Sequence, residues 1–130
     1  MTDHDELRAL VQRYARAADR RDVDALAALF EPGATIVGSG GSQTLDSWLE
    51  TMRGPRAFPT SMHLLGDPLI TVDDRTGTAS LDTYAVVYQI SDPASGHADL
   101  TLGINYLDEA ARVGGRWVIT RRESRTVWMR

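Results

Sequence analysis

The sequence contains no cysteine, which excludes a disulfide framework, a thiol nucleophile and a cysteine-ligated zinc. Histidine is scarce and scattered over His4, His63 and His97. There is no His-x-His or His-Glu pairing and no EF-hand-like acidic loop, so no metal is expected. No P-loop or dinucleotide fingerprint is present and nothing suggests a covalent serine nucleophile, so no cofactor is expected either. No apolar run approaches the ~20 residues that span a bilayer. The opening Met1-Thr2-Asp3-His4-Asp5-Glu6 is acidic and polar, unlike a signal peptide. A cytoplasmic location is the expectation. The formal net charge is −4, and no run of basic residues stands clear of acidic neighbours. That argues against nucleic acid or an anionic membrane as partner.

What is there suits one domain of 130 residues with 42% hydrophobic and 25% charged residues, large enough for a core and a small pocket. Leu7, Leu10, Val11, Tyr14, Ala17 and Ala18 follow a helical period. Asp22 reads as the N-cap of a second helix over Val23 to Phe30, stopped by Pro32-Gly33. Ala34 to Val37 is β-prone, "GSGG" at Gly38 to Gly41 is flexible, and Leu45 to Met52 reads as a third short helix. Beyond it the period changes. Ser61 to Val72, Thr78 to Ile90, Ala98 to Leu107 and Arg116 to Trp128 read as strands joined by turns that suit antiparallel hairpins. The expectation is α+β: two or three helices packed on one curved sheet of four or five long antiparallel strands.

Three stretches carry a resemblance: "LVQRYARAADRRDVDALAALFEPGATI", "SMHLLGDPLITVD" and "GGRWVITRRESRTVW". In this order and spacing the chain resembles the SnoaL-like family of the nuclear transport factor two-like superfamily, over nearly its whole length. That superfamily also holds scytalone dehydratase, ketosteroid isomerase and hexachlorocyclohexane dehydrochlorinase. The resemblance implies a cone-shaped roll whose sheet wraps around an apolar pocket. Fold alone does not set function, because enzymes, binders and structural subunits share it.

Carried over residue by residue, the resemblance implies an Asp19–His63 dyad, with Tyr14 as an oxyanion donor and Arg122 as a pocket arginine. The isomerase branch places its catalytic Asp just after the first short strand, and Val37-Gly38 stand there instead. Scytalone dehydratase carries a second pocket His, whose nearest counterpart here is Tyr88. Taken alone, helical periodicity sends Asp19 toward solvent, roughly 120° from Leu7 at ~100° per residue. A break or bend near Ala18 would be needed to turn it toward His63. On strand parity, Arg122 goes with Val118, Thr120 and Ser124, opposite Trp117 and Ile119; a buried arginine needs a partner, and Asp82 is a candidate. Trp48, Asp82, Tyr84, Tyr88, Asn105 and Trp128 are further candidates to line the pocket.

The expected function is a cofactor-independent lyase or isomerase, dehydratase- or cyclase-like, acting on a small apolar oxygenated molecule. Two alternatives share the fold: a non-catalytic binder of a small ligand, and a structural subunit. Exposed strand surfaces predict a homodimer or small homo-oligomer.

Overall fold

A computed structural model describes residues 1–130. Helix α1 (Asp3–Arg20) buries the expected stripe and adds Ala15. Thr2 and Asp5 form a capping box at its start, satisfying amides that the first turn leaves free. The helix ends with Arg21 in the left-handed region at φ 51°. The amides of Arg21 and Asp22 return to the carbonyls of Ala18 and Ala17, a Schellman-type ending made without glycine. Asp22 then caps α2 (Val23–Ala27) by accepting from the Ala25 amide, as the sequence predicts.

The remaining elements are β1 (Phe30–Gly38), β2 (Gly41–Thr44), α3 (Leu45–Arg53), β3 (Thr60–Leu65), β4 (Leu69–Asp73), β5 (Thr78–Ile90), β6 (Leu100–Val113) and β7 (Arg116–Met129). They form a curved, unclosed, seven-stranded sheet in the order β2-β1-β7-β6-β5-β3, with β4 also paired to β5. The three helices pack on it, giving the α+β architecture expected. The sheet is mixed rather than wholly antiparallel, because β1 runs parallel to β7. Its extra strands arise at glycines and prolines. "GSGG" makes a hairpin into β2, and Gly66-Asp67-Pro68 divides the expected Ser61–Val72 strand into β3 and β4. Helix α2 stops at Ala27, and Phe30 pairs with Ile119 at the start of β1. Pro32-Gly33 interrupts no helix; it lies in the irregular part of β1, where a missing proline amide is tolerated. β6 runs past the expected Leu107 end to Val113.

Two features of the sheet set which side chains face the helices. In β5, Ala79, Leu81, Thr83, Ala85 and Val87 are inward and buried, while Ser80, Asp82 and Tyr84 are outward. In β7 the pairing runs from Ala110↔Ile119 to Glu109↔Arg121, leaving Thr120 as an extra residue. Such a bulge reverses the alternation. Arg122 therefore shares the inner face with Trp117 and Ile119, which corrects the simple parity expected from the sequence.

The N-terminal end of α1 is tied to the sheet by Asp3, which accepts from the Trp117 indole at 3.1 Å and from the Arg112 guanidinium. Those hydrogen bonds, the Trp117 one foremost, hold the Asp3 carboxyl below its ordinary value of 3.8. A depressed carboxyl stabilises the fold above its unfolded pKa, and that contribution is lost as pH falls through the folded value. Asp3→Asn is therefore expected to lower the melting temperature at pH 6. The gap from wild type should be narrower at about pH 3, below the ordinary carboxyl value, where the contribution is already being lost. Thermal melts at the two pH values check this, and a gap independent of pH would contradict it.

Candidate functional site

Asp19 sits on the flank of α1, about 40° beyond buried Ala15 at ~100° per residue. β3 runs along that flank. At one end of the contact Arg8 pairs with Asp67 at 2.8 Å, and at the other Asp19 meets Ser61 and His63. No bend at Ala18 is required, since α1 is continuous through Arg20. The edge strand comes to the helix, and this replaces the local break expected from the sequence.

The Asp19 carboxylate accepts three contacts there. Oδ2 takes the His63 backbone amide at 2.9 Å. Oδ1 takes the Ser61 hydroxyl at 2.9 Å and lies 2.6 Å from His63 Nδ1. The side chains of His63 and Asp19 are only 9% and 18% exposed. With Nδ1–H donated to the carboxylate, the tautomer leaves Nε2 as the free acceptor. A neutral imidazole so oriented can accept a proton, and the carboxylate can stabilise the imidazolium that results.

Behind His63 lies a buried cation. Arg122 is 2% exposed and holds Asp108 in a two-pronged pair, Nε to Oδ1 at 2.6 Å and Nη2 to Oδ2 at 2.7 Å. The partner is thus Asp108, directly across in β6, rather than Asp82. The guanidinium lies 3.7 Å from the Tyr14 ring centroid and 4.4 Å from that of Tyr106. Burial alone would lower its pKa, but the charge and hydrogen bonds of Asp108 more than offset this and raise it. Tyr106 is buried beside it, and burial, with the neighbouring Tyr14, pushes its phenol well above the ordinary value. It stays protonated at neutral pH and can only donate or accept a hydrogen bond there.

Tyr14, Trp48, His63 and Tyr106 line one cavity of about 260 Å³, bordered by α3 and the chain that follows it. Tyr14 stacks on Trp48 with ring centroids 6.2 Å apart and meets His63 edge-on at 6.1 Å. The wall is less apolar than expected, for Arg21, Arg56 and Gln89 share it with Met52 and Phe58. The volume is at or below the small end of the ~300–1,000 Å³ usual for drug-sized ligands. No group of three or more His, Asp or Glu side chains is placed to hold a metal ion, and no helix is long and apolar enough to cross a membrane.

Of the residues singled out in the sequence, Asp19, His63, Tyr14 and Trp48 come together, and Arg122 stands behind them. Asp82, Tyr84, Tyr88 and Asn105 do not join them. They lie on the outer face of β5 and β6, where Asn105 donates to Asp82 at 2.6 Å and Tyr84 is 69% exposed. Strand alternation groups Asp82 with Tyr84 and Tyr88 correctly but does not say which face meets the helices. Trp128 is also outside, its indole lying over Gly103, where an added Cβ would clash with it. The residues missed were Tyr106 and Asp108 on the inner face of β6, together with Ser61, Arg21 and Arg56. The available signal was alternation: Tyr106 neighbours Asn105 and must face the other way.

The SnoaL-like domain family matches residues 1–123. Among solved structures, a scytalone dehydratase-like protein of Novosphingobium aromaticivorans DSM 12444 is 22% identical with a TM-score of 0.86, covering 100% of this chain and 91% of that one. Hexachlorocyclohexane dehydrochlorinase type 3 of Novosphingobium barchaimii LL02 is 13% identical, TM-score 0.84, covering 96% and 86%. An NTF2-like protein with a cystatin-like fold, also from Novosphingobium aromaticivorans, is 24% identical, TM-score 0.80, covering 96% and 82%. At these identities the likeness is one of fold. No curated protein sequence matches this chain.

Removing one member of a buried ion pair strands the other charge, which costs about 3–5 kcal/mol. Arg122→Met is expected to destabilise by that order in urea unfolding. Adding Asp108→Leu to it should recover part of the loss. Equal destabilisation by single and double variants would show that the stranded charge is not the cause.

Proposed function

The chain belongs to the SnoaL-like domain family, and we propose that it is a cofactor-independent lyase or isomerase acting through Asp19 and His63 on a small, largely apolar, oxygenated molecule. The observation that carries this reading is the 2.6 Å contact between Asp19 Oδ1 and His63 Nδ1, which leaves Nε2 as the base beside a cavity. Dehydration is the preferred reaction, with isomerisation or cyclisation second. His63 Nε2 removes a proton from the carbon next to a carbonyl, and the electron pair moves onto the carbonyl oxygen. The enolate then expels hydroxide from the next carbon, and a phenol proton completes the departing water. The imidazolium returns its proton to the phenolate through solvent. Tyr106 and Tyr14 are the donors within the cavity wall; a neutral phenol held in place there is suited to a developing oxyanion. Arg122 acts through them, as a fixed positive charge against both rings.

The rival reading is a non-catalytic binder that uses the same cavity. It is favoured by the second job of Asp19, which satisfies the His63 amide on the edge strand whether or not any reaction occurs. The outer face supports self-association in either case. Leu64, Leu69, Tyr84 and Val127 are exposed there, and apolar surface of this kind is usually covered.

Turnover of small β-hydroxy ketones decides between the readings. Asp19→Asn and His63→Ala are each expected to reduce kcat by about 10²–10⁴-fold, the usual share of general acid–base catalysis. Equal turnover by wild type and both variants would remove the dyad as catalyst. For the outer face, Tyr84→Arg is expected to lower the mass found by light scattering toward that of the monomer; a monomeric wild type would overturn self-association.

A further inference from the structure

Two cations line the cavity of His63 with no carboxylate opposite them. Arg21 and Arg56 both line it, and no Asp or Glu does. The carboxylate of the dyad itself, Asp19, is occupied by Ser61 and His63. Arg21 Nη1 reaches the Met52 carbonyl at 3.2 Å and its sulfur at 3.0 Å, neutral partners at the end of α3. Arg56 is less satisfied still, because its Nε is buried with no hydrogen-bond partner. Burial first, and then the charge of Arg56, draws the pKa of Arg21 below its ordinary value. Two guanidinium groups that repel one another in a partly desolvated wall favour an anion between them.

The backbone is arranged to keep Arg21 in place. It is the single non-glycine residue with positive φ, a conformation that costs energy and here directs the side chain at the end of α1 toward α3. Glycine would close the helix more cheaply but would bring no charge. Trp48, Met52 and Phe58 make up the apolar part of the wall. The cavity thus has a cationic end, an apolar body and a base.

We propose that Arg21 and Arg56 form the anion-binding end of this cavity, and that its ligand is a small monocarboxylate whose far end reaches His63. The proposal rests on the cavity being the ligand site, as argued above. Held by the arginines, the carboxylate takes no part in bond breaking. Its binding energy orients the reacting carbon toward Nε2. Arginine suits the task because its planar fork matches both carboxylate oxygens.

The test uses 3-phenylpropanoate and its neutral counterpart 3-phenylpropanamide, neither of which has a leaving group. Calorimetric titration should find the carboxylate bound by wild type, and the amide bound at least about tenfold more weakly. Arg56→Met, which removes no hydrogen bond of the fold, should weaken the carboxylate about tenfold or more and leave the amide unchanged. Arg56→Lys should recover part of the loss. Equal binding of carboxylate and amide, no binding of either, or an unaltered carboxylate affinity in Arg56→Met would each overturn the proposal. The probe does not react, so a dyad that fails the turnover test leaves this result standing. Conversely, charge-blind binding would remove the arginine assignment and leave the dyad intact.

Discussion

The buried guanidinium of Arg122 is the constraint around which the rest of the site is arranged. Moving an arginine and an aspartate out of water costs several kcal/mol per ion unless the geometry compensates. Here compensation comes from the two-pronged pair with Asp108 and from two aromatic faces, Tyr14 on α1 and Tyr106 on β6. Each partner belongs to a different strand or helix from the arginine itself. The cation therefore ties the register of β6 and β7 to the rotation of α1. The same two tyrosines form the wall between the cation and the cavity, so a structural ion pair determines where the phenols stand. Arg122 itself does not line the cavity, and its influence on a ligand passes through those rings.

Asp19 extends this coupling to the edge of the sheet. β3 is the outermost strand on its side, and its outward amide at His63 needs an acceptor that no further strand supplies. The helix flank provides one. The carboxylate that satisfies the backbone also fixes the imidazole, so the strand edge and the ring orientation depend on the same group. A hydrogen-bonded edge and a poised base are not competing explanations of this aspartate; the first places the second. Together with the Arg8–Asp67 pair further along the same flank, it aligns α1 with β3 over most of that strand's length.

Much of the architecture was legible in the residues. The apolar period of α1, the Asp22 cap and the run Thr78–Ile90 all have strong local causes, and each occurs as expected. Elements whose identity depends on distant pairing were not legible. Phe30 has helical spacing but is taken into β1 by Ile119, and the alanines at the end of β6 become strand because Ile119 and Val118 lie on one side of them and Ala79 and Thr78 on the other. Asp19 and His63 came from a resemblance, since periodicity alone sent Asp19 to solvent. The outward placing of Asp82, Tyr84, Tyr88 and Asn105 could not be read, because alternation is symmetric between the two faces of a strand.

The amino-acid sequence by itself determined the class of fold, the helix stripe, the long strands and, away from the bulge, which residues share a strand face. These follow from side-chain period and from capping chemistry, which act within a few residues. Tertiary structure alone decided that a bulge at Thr120 turns Arg122 inward to Asp108, that the edge of β3 meets the flank carrying Asp19, and that Arg21 and Arg56 face one cavity. Those outcomes depend on pairing between residues far apart in the chain, and a one-residue shift in register exchanges the inner and outer faces of a strand.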